Sequence, residues 1–73
     1  MKFGFTLADR LKKAREIAGI DQRTLAKRLH LNRNSVSAYE RGMYSPRAEV
    51  LEQWARETGA PLEWLTSGHQ EVA

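Results

Sequence analysis

The sequence predicts an all-α fold, a compact arrangement of five short helices in one domain. Three observations carry this. Apolar residues recur at steps of three and four in successive short segments, which lines one face of a helix. Gly19, Gly42 and Gly59 each stand just after such a segment, where a left-handed residue ends a helix. No stretch alternates apolar and polar residues as a strand would, and there is no internal repeat or low-complexity linker. Seventy-three residues make a single domain at the small end of independently stable folds. The expected division is a core over 6–66, an N-terminal arm over 1–5 and a tail over 67–73.

The arm, MKFGF, carries Phe3 and Phe5, which are expected to fold back onto the domain edge. Thr6 then caps the first helix, with Asp9 three residues on as a short capping box. Leu7, Leu11, Ala14 and Ala18 form its apolar face, and Lys12 and Lys13 lie off it. Gly19 ends this helix and Ile20 returns the chain to the core. Asp21 caps the second helix, whose buried stripe is Leu25, Ala26 and Leu29. The break falls at His30–Leu31–Asn32, and Asn32 caps the third helix, with Val36 and Tyr39 facing inward.

Gly42 closes the third helix and Met43–Tyr44 fill a loop. Ser45 as N-cap and Pro46 at the first helical position would open the fourth helix. Ala48, Leu51, Trp54, Ala55 and Thr58 are expected on its core face. Pro61 starts a short fifth helix with Leu62 and Leu65 buried, and Trp64 seals the core or its edge.

The stretch from Gln22 to Arg41 is the informative one. Two short helices joined by a tight turn, the second with an apolar back and a front bearing Arg33, Asn34, Ser37 and Ala38, are how a helix-turn-helix offers side chains to the DNA major groove. Charge agrees. Residues 1–48 hold eleven Lys and Arg against four acids, net +7, whereas residues 49–73 hold one against five, net −4. A basic front and an acidic rear suit a protein that meets a polyanion with one face.

Other chemistry is poorly served. There is no cysteine, so neither disulfides nor thiolate metal sites are available, which fits a reducing cytoplasm. No signal-peptide core or membrane-length apolar run is present. His30 and His69 lie in a turn and the tail, with no Ser–His–carboxylate pattern or metal-ligand spacing, and there is no glycine-rich phosphate loop. These point to binding, not catalysis, with no cofactor, metal or small-molecule substrate. No aromatic cluster offers a stacking platform for RNA.

Residues 7–66 resemble the Cro/CI-type helix-turn-helix domain of phage repressors and their bacterial XRE-like relatives. The matching residues are Gln22, Leu25–Ala26, Val36, Glu40-Arg41-Gly42, Pro46, and Leu62-Glu63-Trp64-Leu65. The resemblance implies a lambda-repressor-like fold and a transcriptional regulator that reads the groove with its third helix, the recognition helix. Arg33, Asn34, Ser37 and Ala38 occupy the base-reading positions. Arg33 suits guanine, Asn34 adenine, and the Ala38 methyl a thymine methyl. Gln22 would donate to a phosphate, aided by the helix dipole and the backbone N–H groups around it, and would brace the recognition helix. Arg41 would hold phosphates across the groove, and Arg23, Lys27, Arg28 and Arg47 are further phosphate candidates. Helical geometry does not allow all of these on one face; Arg23 and Lys27, four apart, share a side.

The resemblance also implies an Arg15–Glu40 pair pinning helix 1 to the recognition helix, and a homodimer on a palindromic operator, with Leu62, Glu63 and Thr66 as candidate subunit contacts. Half-sites would lie about one helical turn, roughly 34 Å, apart. If the chain ends at residue 73 it looks like a Cro-type regulator, and if it continues, like a repressor fragment. A DNA-binding antitoxin that also neutralises a partner protein is the alternative, followed by an interaction module without DNA binding. One departure stands out. The turn position usually held by glycine is His30, which the turn would force toward left-handed backbone angles.

Overall fold

A computed structural model describes residues 5–68, so Phe3 and His69 lie outside the described residues. Five helices follow in order: α1 (Leu7–Ala18), α2 (Gln22–Arg28), α3 (Arg33–Glu40), α4 (Ala48–Thr58) and α5 (Leu62–Ser67). None of them is long and apolar enough to cross a membrane. Each helix sends one fully buried side chain to a common centre: Leu11, Leu25, Val36, Trp54 and Leu65. Helices this short are marginal alone in water, so it is this shared burial that holds them.

Trp54 is the largest of the five. Its indole Nε1–H donates to the Leu11 carbonyl of α1 at 3.1 Å, which satisfies the buried donor. Tyr39 meets the ring edge-to-face, centroids 6.4 Å apart at 74°. Ala14, Ala26, Leu29 and Ala55 complete this core cluster, with Leu7, Ile20, Leu51 and Trp64 packed at its margin.

The helix ends show why the breaks fall where they do. Thr6 and Asp9 exchange bonds at the start of α1, the Asp9 N–H donating to Thr6 Oγ1 at 3.2 Å and the Thr6 N–H to Asp9 Oδ2 at 3.0 Å. Asp21 accepts from the Thr24 N–H at 2.7 Å, and Asn32 from the Ser35 N–H at 2.9 Å. At the other end of α1, Gly19 has φ +74.

Four expectations need correcting. Helix α4 begins at Ala48 and not at Pro46: Arg47, still extended at φ −67 and ψ 163, is its N-cap, without a side-chain bond. Pro46 is instead buried, an anchor for the loop. Ala18 and Ala48 are exposed, because each stands at a helix end beyond the packed part of its face. Leu62 is 42% exposed, since α5 turns Leu65 into the core and leaves Leu62 on its flank. Phe5 does reach the domain edge, where with Ile17, Pro61 and Trp64 it lines a shallow apolar groove between α1 and α5, but it stays 61% exposed.

His30 has φ +57, and among the described residues it alone takes a left-handed backbone without being glycine. The His30→Gly variant should therefore be more stable. Relief of left-handed strain gives about 1–2 kcal/mol, and the greater freedom of glycine in the unfolded chain takes back about 0.4–1 kcal/mol. A thermal melt should rise by a few degrees. A fall would mean that the imidazole makes a stabilising contact.

Candidate nucleic-acid interface

The front of the molecule is built on α3. Arg33, Asn34 and Arg41 are exposed and Ser37 is half-buried. Their spacing places all four on one helix face, opposite Val36 and Tyr39. Asn32 is committed to starting the helix, since its carboxamide oxygen accepts from both the Ser35 N–H and, at 3.2 Å, the Ser35 hydroxyl. Ala38 departs from the expectation for it. It is buried, at 7% exposure, and has little surface left to offer a thymine methyl. It lies at the border where the polar face gives way to packing.

Arg23, Lys27 and Arg28 on α2 and Arg47, the N-cap of α4, are all exposed. Arg23 and Lys27 lie along one side of α2 and Arg28 along the other. Among the described residues the one ion pair is Arg15–Glu40. These cations therefore carry charge that no bonded carboxylate neutralises.

Behind the face lies a polar knot joining three helices. Glu40, at the end of α3, has its side chain 2% exposed. It accepts from Arg15 Nε at 2.6 Å and from Arg15 Nη2 at 3.0 Å, a bidentate pair from α1. It also accepts from Gln22 Nε2 of α2 at 3.0 Å. Arg15 Nη1 donates to the Ile20 carbonyl at 2.9 Å. Hydrogen bonding to Glu40 raises the Arg15 pKa above its ordinary value, against the opposing effect of partial burial. Every buried polar side-chain atom described has a partner, which is what makes a buried charge tolerable.

Gln22 is thus fixed with its amide nitrogen toward Glu40, because a carboxylate only accepts. One N–H of that amide is used and the second is left for another acceptor. The N-terminus of α2 is capped as the sequence suggested, by Asp21. Asp21 supplies an anion of its own there, and the backbone N–H of Thr24 holds its carboxyl below the ordinary value of 3.8. A phosphate at Gln22 would rely on the side chain more than on the helix dipole.

Sequence reading missed Arg10. Its guanidinium donates to three backbone carbonyls, those of Phe5 at 2.7 Å, Leu65 at 3.0 Å and Thr66 at 3.2 Å, tying the chain before α1 to the last turn of α5. Its acceptors are main-chain atoms up to 56 positions away, so no pattern of residue types marks them. The one available signal was an arginine bordering the apolar face of α1.

A helix-turn-helix family model matches residues 11–65, most of the chain. No curated protein matches it. Among solved structures, the P22 c2 repressor protein, crystallised with synthetic operator 9T in the presence of Tl+, superposes with a TM-score of 0.82 at 21% sequence identity. The match covers 90% of this chain and 100% of that one, and it shows a common fold. With its five helices, its turn at His30 and a family match running from within α1 to within α5, the chain belongs to the helix-turn-helix family.

Proposed function

We propose that this protein is a sequence-specific regulator of transcription that binds double-stranded DNA by laying α3 in the major groove. The observation that carries this reading is the exposed face of α3, with Arg33, Asn34, Ser37 and Arg41 together and no acid paired to either arginine. Arg33, at the first position of α3, has the reach for a bidentate bond to guanine O6 and N7, and Asn34 is suited to adenine. Arg41, Arg23, Lys27 and Arg47 answer the phosphates on either side, and Gln22 offers its remaining N–H to one. The P22 c2 repressor, which shares the fold, was crystallised on operator DNA.

A domain this small spans few base pairs, so discrimination calls for two copies on a palindrome. Leu62, Glu63 and Thr66 are the proposed subunit contacts. All three are exposed on α5, and an exposed leucine there suits a surface covered in a dimer. Salt dependence of binding tests the function. With several phosphates neutralised at about 0.9 of a logarithmic unit each, the slope of log K against log salt should be ~4 or more in magnitude. A nearly flat plot overturns the reading.

A further inference from the structure

Arg10 sits half-buried on α1 and directs its guanidinium at main-chain oxygens, not at a carboxylate. Nε donates to the Leu65 carbonyl at 3.0 Å and Nη2 to the Thr66 carbonyl at 3.2 Å, both in the last turn of α5. Nη1 donates to the Phe5 carbonyl at 2.7 Å. Carbonyls at a helix C-terminus run out of donors within the helix, and a positive charge is favoured beside them. Gly68 bends the chain around the same group. It has φ +77, and a Cβ on it would lie 3.1 Å from Arg10 Nη1.

These bonds bear on how α5 is oriented. The helix has six residues, and its N-cap, Pro61, makes no side-chain bond. The Thr66 and Ser67 hydroxyls donate back into α5, to the Leu62 carbonyl at 2.9 Å and the Glu63 carbonyl at 2.6 Å. Leu65 is fully buried and Trp64 packs at the core margin. Apolar burial is non-directional, however, and fixes the depth of a short helix better than its rotation. A guanidinium is a planar, pre-organised fork, so its bonds do fix rotation. That rotation matters for what α5 carries. Leu62 and Thr66, four apart, share an exposed face, and the Thr66 carbonyl is the one that Nη2 holds.

We infer that Arg10 is a positioning residue for subunit pairing. By fixing the rotation of α5 it sets the angle at which Leu62 and Thr66 meet a second copy, and with it the separation of the two α3 helices on DNA. This rests on the reading of the protein as a DNA-binding dimer, and it names the residue behind the contact surface that makes the spacing rigid. Arg10 itself touches neither the DNA nor the second copy, because its donors are turned onto the chain's own backbone.

The test uses the full chain with a selected palindromic duplex, a duplex with one half-site scrambled, and palindromes whose half-sites are moved closer or farther by one base pair. Arg10→Lys keeps the charge and loses the fork, and Arg10→Met loses both. For each, the preference for the palindrome over the single half-site should fall by about 5-fold or more, the low end of coupling between two sites. The preference for one spacing should flatten as well. Arg10→Lys should bind the single half-site as the parent does, since α3 is untouched. Gly68→Ala crowds Nη1 with Arg10 still in place and should shift the preference in the same direction. If Arg10→Lys and Gly68→Ala keep the parent's preference and spacing profile, whatever their melting temperatures, the inference falls and Arg10 only stabilises the fold. If lysine restores everything that methionine loses, charge and not the fork is at work, and the inference falls too. If the parent itself shows no preference for the palindrome, the dimer reading falls and the inference with it, while salt-dependent binding to either duplex leaves the DNA-binding reading standing.

Discussion

Arg15→Ala should destabilise the domain by about 3–5 kcal/mol, the cost of breaking a buried pair and leaving one charge behind. The stranded group is the Glu40 carboxylate, 2% exposed, which keeps only the Gln22 amide. Glu40→Ala should cost less, because Arg15 is 12% exposed and retains the Ile20 carbonyl. A domain of this length has roughly 4–10 kcal/mol in total, so Arg15→Ala should be close to unfolding at room temperature. Denaturant titrations of both single variants and the double variant measure the coupling. It should exceed about 1.5 kcal/mol, near the upper half of values for directly bonded residues. A coupling near zero would mean that the pair is incidental to the fold.

Arg33→Ala and Gln22→Ala should fail in different ways. Arg33 is exposed at the start of α3 with no protein partner, so its loss leaves the fold intact. A bidentate bond to guanine contributes about 1–3 kcal/mol of discrimination. The variant should bind the cognate site about 5–150-fold more weakly, lose preference at one position per half-site, and keep most of its non-specific affinity. Gln22→Ala should weaken all sequences by similar factors and leave the salt slope unchanged, since an amide releases no counterion. It also removes a bond to Glu40, so a modest loss of stability should accompany it. Titrating both variants against single-base variants of the site at two salt concentrations separates these outcomes. Equal weakening by Arg33→Ala on every sequence would reduce Arg33 to a phosphate clamp and move base reading to Asn34 and Ser37.

How much of this was legible in the sequence follows from the range of each interaction. The caps at Thr6, Asp21 and Asn32 rest on contacts within four residues, and residue type marks them; helical spacing marks the buried stripe of α2, and the left-handed turn at His30 was suggested by the family resemblance. Arg15 and Glu40 lie 25 positions apart. Spacing alone could not join them, and it was the family resemblance that suggested the pair. Arg10 had no such help, because backbone carbonyls leave no trace in a sequence. Leu62 and Ala38 were misplaced for a shared reason. Periodicity gives the angle of a residue around its helix, but burial depends on how far the neighbouring helix reaches. At the flank of α5 and the border of α3, that reach decides the outcome.

The central claim is that α3 reads base sequence in duplex DNA, and selection of bound sites from a random duplex pool tests it most directly. After several rounds at physiological salt, the protein should enrich one motif, two inverted half-sites about one helical turn apart, with a guanine in each half-site whose enrichment disappears for Arg33→Ala. A pool that stays random, bound equally well whatever its sequence, would contradict the claim.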